Sequence, residues 1–413
     1  MKTWTLAAAL LAFPHALLLA QPDPPDFGIS FSGFVRTDVM VDTRQTVSFR
    51  EGHFLLYPSA VMPDSDGADI NARANFNILS IQTRLLGKIS GPDAWGAKTS
   101  GLLEGEFFGM SDADVNGFRL RHAYVLFDWR RVSLLVGQTW HPMFVVEMFL
   151  AVVSFNTGAP FQPFSRNPQI RLSCAFRGFK LIAAAASQRD FQSPGPDRNN
   201  QPVFSSSYLR NAAFPNMHIQ LQCRTGENLL GVGVDYKKLV PRLATAKNRA
   251  THAAIGSVAA LGYLKLVVKP FVVKAEGAVG GNLADMLMLG GYAVTASDPI
   301  SGAESYSAIR CLSCWGELSA GTTIEAGLFA GYTKNRGAAR DVVGAYYTRG
   351  GDIGDVFRIS PRLQWNSGKA RVAAELEYTS ARYGFPDGGH KGRVERLKTA
   401  ANIRLLTAVY YFF

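Results

Sequence analysis

Two short stretches hold the densest ionic chemistry of the chain. Glu104–Gly109 (EGEFFG) places Glu104 and Glu106 two residues apart, and Phe118–Val125 (FRLRHAYV) does the same for Arg119 and Arg121. Residues two apart on a strand share a face, so each pair projects to one side. Guanidinium groups match carboxylates bidentately. Two outcomes follow. Arg119 and Arg121 can hold anionic solutes, or they can pair with Glu104 and Glu106 on the neighbouring strand and serve the wall alone. Arg84 and Arg171 occupy polar faces of nearby strands, and Glu147 is the one acid between Pro142 and Asn167.

Catalytic chemistry finds no comparable support. The chain carries no G-x-S-x-G, no H-E-x-x-H and no glycine-rich phosphate loop before a helix. Its seven histidines are scattered. Cys311 and Cys314, three apart on an expected strand, point to opposite faces; with Cys174 and Cys223 they read as small buried hydrophobes rather than metal ligands. The chain therefore reads as a non-enzyme, with no cofactor and no nucleic-acid partner expected.

The elements that position these residues are strands. Val132–His141 is a β-rich apolar run. Pro168–Phe176 alternates Ile170, Leu172, Cys174 and Phe176 against Gln169, Arg171 and Ser173. Between them lies a long loop, about 142–167, apolar at first and then rich in Pro, Gly and Asn. The same period-two pattern recurs along the chain, with short turns at one end of the strands and long connections, including about Thr43–Ala72 and Leu287–Tyr306, read as polar, at the other. About sixteen strands result. Phe118, Leu120, Tyr124 and Leu126 form an apolar face on which His122 is awkward unless that face meets another subunit or the interface. Phe179–Phe191 alternates less cleanly.

Composition sharpens the class. The chain has 413 residues, 47% hydrophobic and 18% charged, with net charge +11. Met1–Ala20 resembles a secretory signal peptide. Beyond it no run of about 18 apolar residues follows, so no membrane helix is expected. A secreted chain that is moderately apolar everywhere and concentrated nowhere fits a transmembrane β-barrel. The terminal strand, with an apolar residue at every second position up to Phe413, fits as well. Residues 21–27 would be a short periplasmic segment and 28–413 the barrel. The reading is all-β: a transmembrane antiparallel barrel of about 16 strands, with short periplasmic turns, long extracellular loops and an inward-folded third loop.

Five stretches, Gly33–Asp42 (GFVRTDVMVD), EGEFFG, FRLRHAYV, Gly137–Trp140 (GQTW) and Arg166–Arg171 (RNPQIR), resemble the DcaP-like trimeric outer-membrane porin family. The resemblance is strongest over about residues 30–190 and architectural beyond. It implies a homotrimeric channel in the outer membrane of a Gram-negative bacterium, embedded in its lipid and passing small anionic solutes such as dicarboxylates. The helical extension that some members carry before the barrel has no counterpart in Gln21–Phe27. Assigning the polar faces inward yields about eighteen basic residues, Arg36, Lys237, Arg310, Arg358 and Arg371 among them, against about ten acids. A basic excess in a narrow tube concentrates anions. The competing reading is a plugged or adhesin-type barrel that carries nothing.

Overall fold

The computed structural model describes residues 27–413. The expected signal peptide and all but the last residue of the segment at 21–27 lie outside the described residues. Sixteen antiparallel strands follow one another around the sheet: β1 (Gly28–Asp42), β2 (Asn75–Leu79 continued by Arg84–Ser90), β3 (Lys98–Glu106), β4 (Arg119–Asp128), β5 (Val132–Trp140), β6 (Arg166–Phe176), β7 (Phe179–Ala186), β8 (Asn216–Thr225), β9 (Asn228–Leu239), β10 (Ile255–Val268), β11 (Phe271–Gly281), β12 (Glu304–Gly321), β13 (Ile324–Gly337), β14 (Ile353–Ser367), β15 (Ala370–Asp387) and β16 (Arg393–Phe412). β1 pairs with β16 from Phe34↔Phe412 to Asp42↔Arg404, which closes the barrel. Closure satisfies every strand edge, the condition for a sheet to stand in lipid.

Alternation sets the two surfaces. Phe31, Val35 and Val41 of β1, Ile170 and Leu172 of β6 and Leu405, Val409 and Tyr411 of β16 are exposed on the outer wall. Arg36, Asp38 and Asp42, Arg358 and Arg362, and Glu375 and Glu377 are buried on the inner one. Apolar outside and polar inside is the arrangement a membrane-spanning barrel requires. Short turns of two or three residues, such as Arg177-Gly178 and Lys269-Pro270, join the strands at the end where β1 begins and β16 ends, except for the longer link from β2 to β3.

Five expectations need correction. The register shifts between Glu104 and Gly105 as β3 pairs with β4. That bulge turns His122 off the apolar face and into the wall, where its Nδ1 lies 3.0 Å from the Thr139 hydroxyl and its ring meets Trp140 edge-on. It also ends the outward run at Leu120, with Val125 next outside, so Tyr124 and Leu126 leave that face. Arg310 points outward, because Ile309 and Cys311 both face inward around a second register shift. β7 stops at Ala186, short of Phe191. Cys174 and Cys314 sit exposed on the outer wall and Cys311 is buried. Finally, two connections read as polar carry buried apolar cores, the first near its middle and the sixth at its start. Thr46–Phe49 and Phe54–Pro58 form a hairpin with Phe54, Leu55 and Leu56 buried, and Leu283, Met286, Leu287, Met288 and Leu289 are buried in the sixth long connection.

Candidate functional site

The third long connection, 141–165, folds into the lumen and crosses it. Its apolar residues supply the driving force: Met143, Phe144, Met148, Leu150, Phe155, Phe161 and Phe164 are all buried. Burying each side chain of this kind is worth about 1.5–3 kcal/mol. Phe155 stacks on Phe108 at 4.0 Å, and Phe54 meets Phe164 edge-on at 5.2 Å. The hairpin of the first connection and Met286–Leu289 of the sixth join the same cluster. Together they form an apolar layer across the barrel.

The far wall holds this loop by its backbone. The Ala151 amide donates to Glu317 (2.8 Å) and the Ser154 amide to Glu375 (3.0 Å), with the Val153 amide donating to the same carboxylate. Arg36 donates to the Val153 carbonyl (2.6 Å), Lys274 to that of Phe149 (2.6 Å) and Arg358 to that of Ala159 (2.8 Å). Inward charges on β1, β11, β12, β14 and β15 thereby satisfy backbone groups of a loop whose one regular element is the short 3-10 turn Val146–Met148.

The ionic cluster expected from EGEFFG and FRLRHAYV forms on the opposite wall. Arg119 lies 2.6 Å from Glu106, and Arg121 lies 2.5 Å from Glu104 and 2.7 Å from Glu106. Arg84 reaches Glu106 at 3.1 Å and Glu104 at 3.6 Å. Two residues that sequence reasoning did not single out complete it. Asp190, in the fourth connection, is 2.7 Å from Arg166 and 3.3 Å from Arg119, and Arg166 lies 4.0 Å from Glu106. Four guanidiniums against three carboxylates leave one positive charge. Asp190 lies beyond the end of its strand. Burial raises its pKa, but Arg166 and Arg119 outweigh burial and hold the carboxyl below its ordinary value.

Arg171 and Glu147 stand apart from this cluster. Arg171 donates to Gln169 (3.0 Å) and to the Trp140 carbonyl. Glu147 faces Arg224 at 3.8 Å across half-open space. Beneath the third loop, on the short-turn side, a cavity of about 380 Å³ is lined by Arg36, Arg84, Arg121, Arg371 and Glu325, with Trp140 and Phe149–Phe155 above. Arg371 is held by Asn366 (2.7 Å) and lies over the Tyr410 and Phe412 rings. Arg119 is not among the lining residues.

Sixteen strands around a loop-crossed lumen match known channels. The outer-membrane channel DcaP of Acinetobacter baumannii superposes with a TM-score of 0.66 at 14% identity, covering 94% of this chain and 97% of that one. The chain has a DcaP-like porin fold. In-vitro folded OmpT of Vibrio cholerae follows with a TM-score of 0.55, 9% identity, and 95% and 100% coverage. An OmpT structure described as a trimer form gives 0.53 at 10% identity, with 94% and 100% coverage. No protein-family model matches the chain, and no curated protein does. At these identities the likeness is one of fold.

Proposed function

We propose that the protein is a porin of the bacterial outer membrane, a homotrimer set in lipid, that passes small hydrophilic solutes and favours anions such as dicarboxylates. The observation that carries the anion preference is the cavity under the third loop, where four arginines face one glutamate. Three of those arginines are paired with acids behind them: Arg36 with Asp38, and Arg84 and Arg121 with Glu104 and Glu106. Arg371 is the cation whose partners are neutral. A positive charge in a low-dielectric vestibule attracts anions over about a Debye length, ~8 Å at physiological salt. Channel fold, exposed apolar belt and the trimeric OmpT neighbour support the membrane and assembly parts of the reading.

The test is the reversal potential of single channels in a salt gradient. Wild type should favour anions. Arg371→Glu, which breaks no ion pair, should move the potential toward cations, more at low salt than at high. An unchanged potential in channels of normal conductance would remove Arg371 and its vestibule from the selectivity. The apolar layer favours a second reading, a plugged barrel, which predicts that no channels are seen in wild type.

A further inference from the structure

At the root of the third loop three side chains converge without touching. His141 is the first residue after β5, His218 lies on β8, and Asp235 faces His218 in register on β9. All three are buried, with His141 fully enclosed. Asp235 Oδ2 is 3.5 Å from His141 Nε2 and 3.4 Å from His218 Nδ1, and the three ligand atoms lie within 4.8 Å of one another. Neither Asp235 Oδ2 nor His218 Nδ1 has a hydrogen-bond partner. Leaving a buried polar atom unpaired costs about 1–3 kcal/mol. Two such atoms aimed at one point ask for something between them.

We propose that His141, His218 and Asp235 form a binding site for a divalent transition-metal ion of the zinc class. The spacing fits. Ligand atoms about 2.0–2.1 Å from a tetrahedral zinc lie about 3.4 Å from each other. Two imidazoles and one carboxylate leave a fourth position for water. The surrounding side chains hold the ligands in place. Asn216 donates to Asp235 Oδ1 at 2.7 Å, freeing Oδ2, and Gln220 lies 3.0 Å from His218 Nε2, leaving Nδ1 for the ion. Gly233 makes room for the imidazole, since a Cβ there would lie 3.1 Å from the His218 ring. Two contacts oppose binding. The Met143 amide donates to His141 Nδ1 at 3.3 Å, and His141 Nε2 lies 2.5 Å from the Asn216 side-chain oxygen Oδ1. Zinc on Nε2 needs the other tautomer and gives up both bonds. A single dication would join β5, β8 and β9 where the third loop begins.

The measurement is zinc titration of the full-length detergent-solubilised protein, stripped with a chelator, against a chromophoric zinc chelator. It is made on folded protein and again after refolding with zinc present, because the ligands are enclosed. One zinc per chain is expected. Asp235→Asn keeps the shape of the site, and His218→Ala removes a ligand; each should weaken binding at least about 100-fold. His390→Ala, in the exposed group with Asp387 and Glu395, should leave it unchanged. If His218→Ala fails to fold, Asp235→Asn decides alone. No zinc bound in either preparation, or wild-type affinity in Asp235→Asn, overturns the proposal.

Discussion

Glu106 is the hub of the inner wall. Four guanidiniums lie within 4.0 Å of its carboxylate, and its side chain is fully buried. Replacing it with Gln removes the charge and leaves those cations short of a partner, a loss of about 3–5 kcal/mol for a buried pair. Glu106→Gln should therefore lower the temperature at which the folded band is lost in detergent gels. Lys98→Ala, which breaks an exposed pair with Asp93, should barely move it. Asp190 adds a pH dependence whose sign is fixed. Its carboxyl is held below the unfolded value of about 3.9, so its contribution is present above that pH and lost as pH falls through the lower folded value. Acid titration of Asp190→Asn should show a flatter decline below about pH 4 than wild type, and identical curves would sever the Arg166 contact from stability. The E-x-E and R-x-R spacings make both faces of this cluster legible. Whether they meet depends on strand register, which periodicity leaves open. Arg166 and Asp190 were illegible because a loop closure brings them together.

Among the elements, the third loop decides how wide the lumen is. Its apolar half, 143–155, is readable as a segment that must find a wall. Where it docks is not, since Glu317, Glu375 and Arg358 lie more than 160 residues away in the chain. The first and sixth connections show the same limit in another form. The first is polar counted over its whole length and the sixth ends in a polar run, yet short apolar cores, Phe54–Leu56 and Met286–Leu289, pack against the third loop. Deleting Phe144–Phe155 should raise single-channel conductance, and it should leave Glu317 and Glu375 to water rather than to amide donors. Unchanged conductance from an assembled barrel would assign the constriction to the other two connections.

The whole molecule depends on one seam. β1 and β16 meet across nine residue pairs, and their union converts a sheet with two open edges into a cylinder with none. Charge reinforces the upper part of the seam, where Arg404 lies 2.6 Å from Asp42 and Asn402 donates to the same carboxylate at 2.7 Å. The lower part is closed by a close approach. Gly33 and Phe413 exchange backbone hydrogen bonds of 3.3 and 3.1 Å, and a Cβ on Gly33 would lie 2.1 Å from the Arg84 carbonyl oxygen and 2.8 Å from the Phe413 ring. Backbone on β2 and the Phe413 ring just past β16 thus converge on a position that has space only for hydrogen. Any larger residue must push β1 away from one neighbour. Gly33→Val should lower the fraction of chain that runs as a compact, heat-modifiable species in mild detergent. Gly262→Val, on β10 at a position without positive φ where a Cβ would come no closer than 4.0 Å to the neighbouring strand, gives a glycine control for the loss of backbone freedom. Because strand content survives in a partly opened sheet, the deciding readout is the gel shift and not the circular dichroism spectrum. Wild-type heat-modifiability in Gly33→Val would mean that β1 closes the barrel without the packing at its foot.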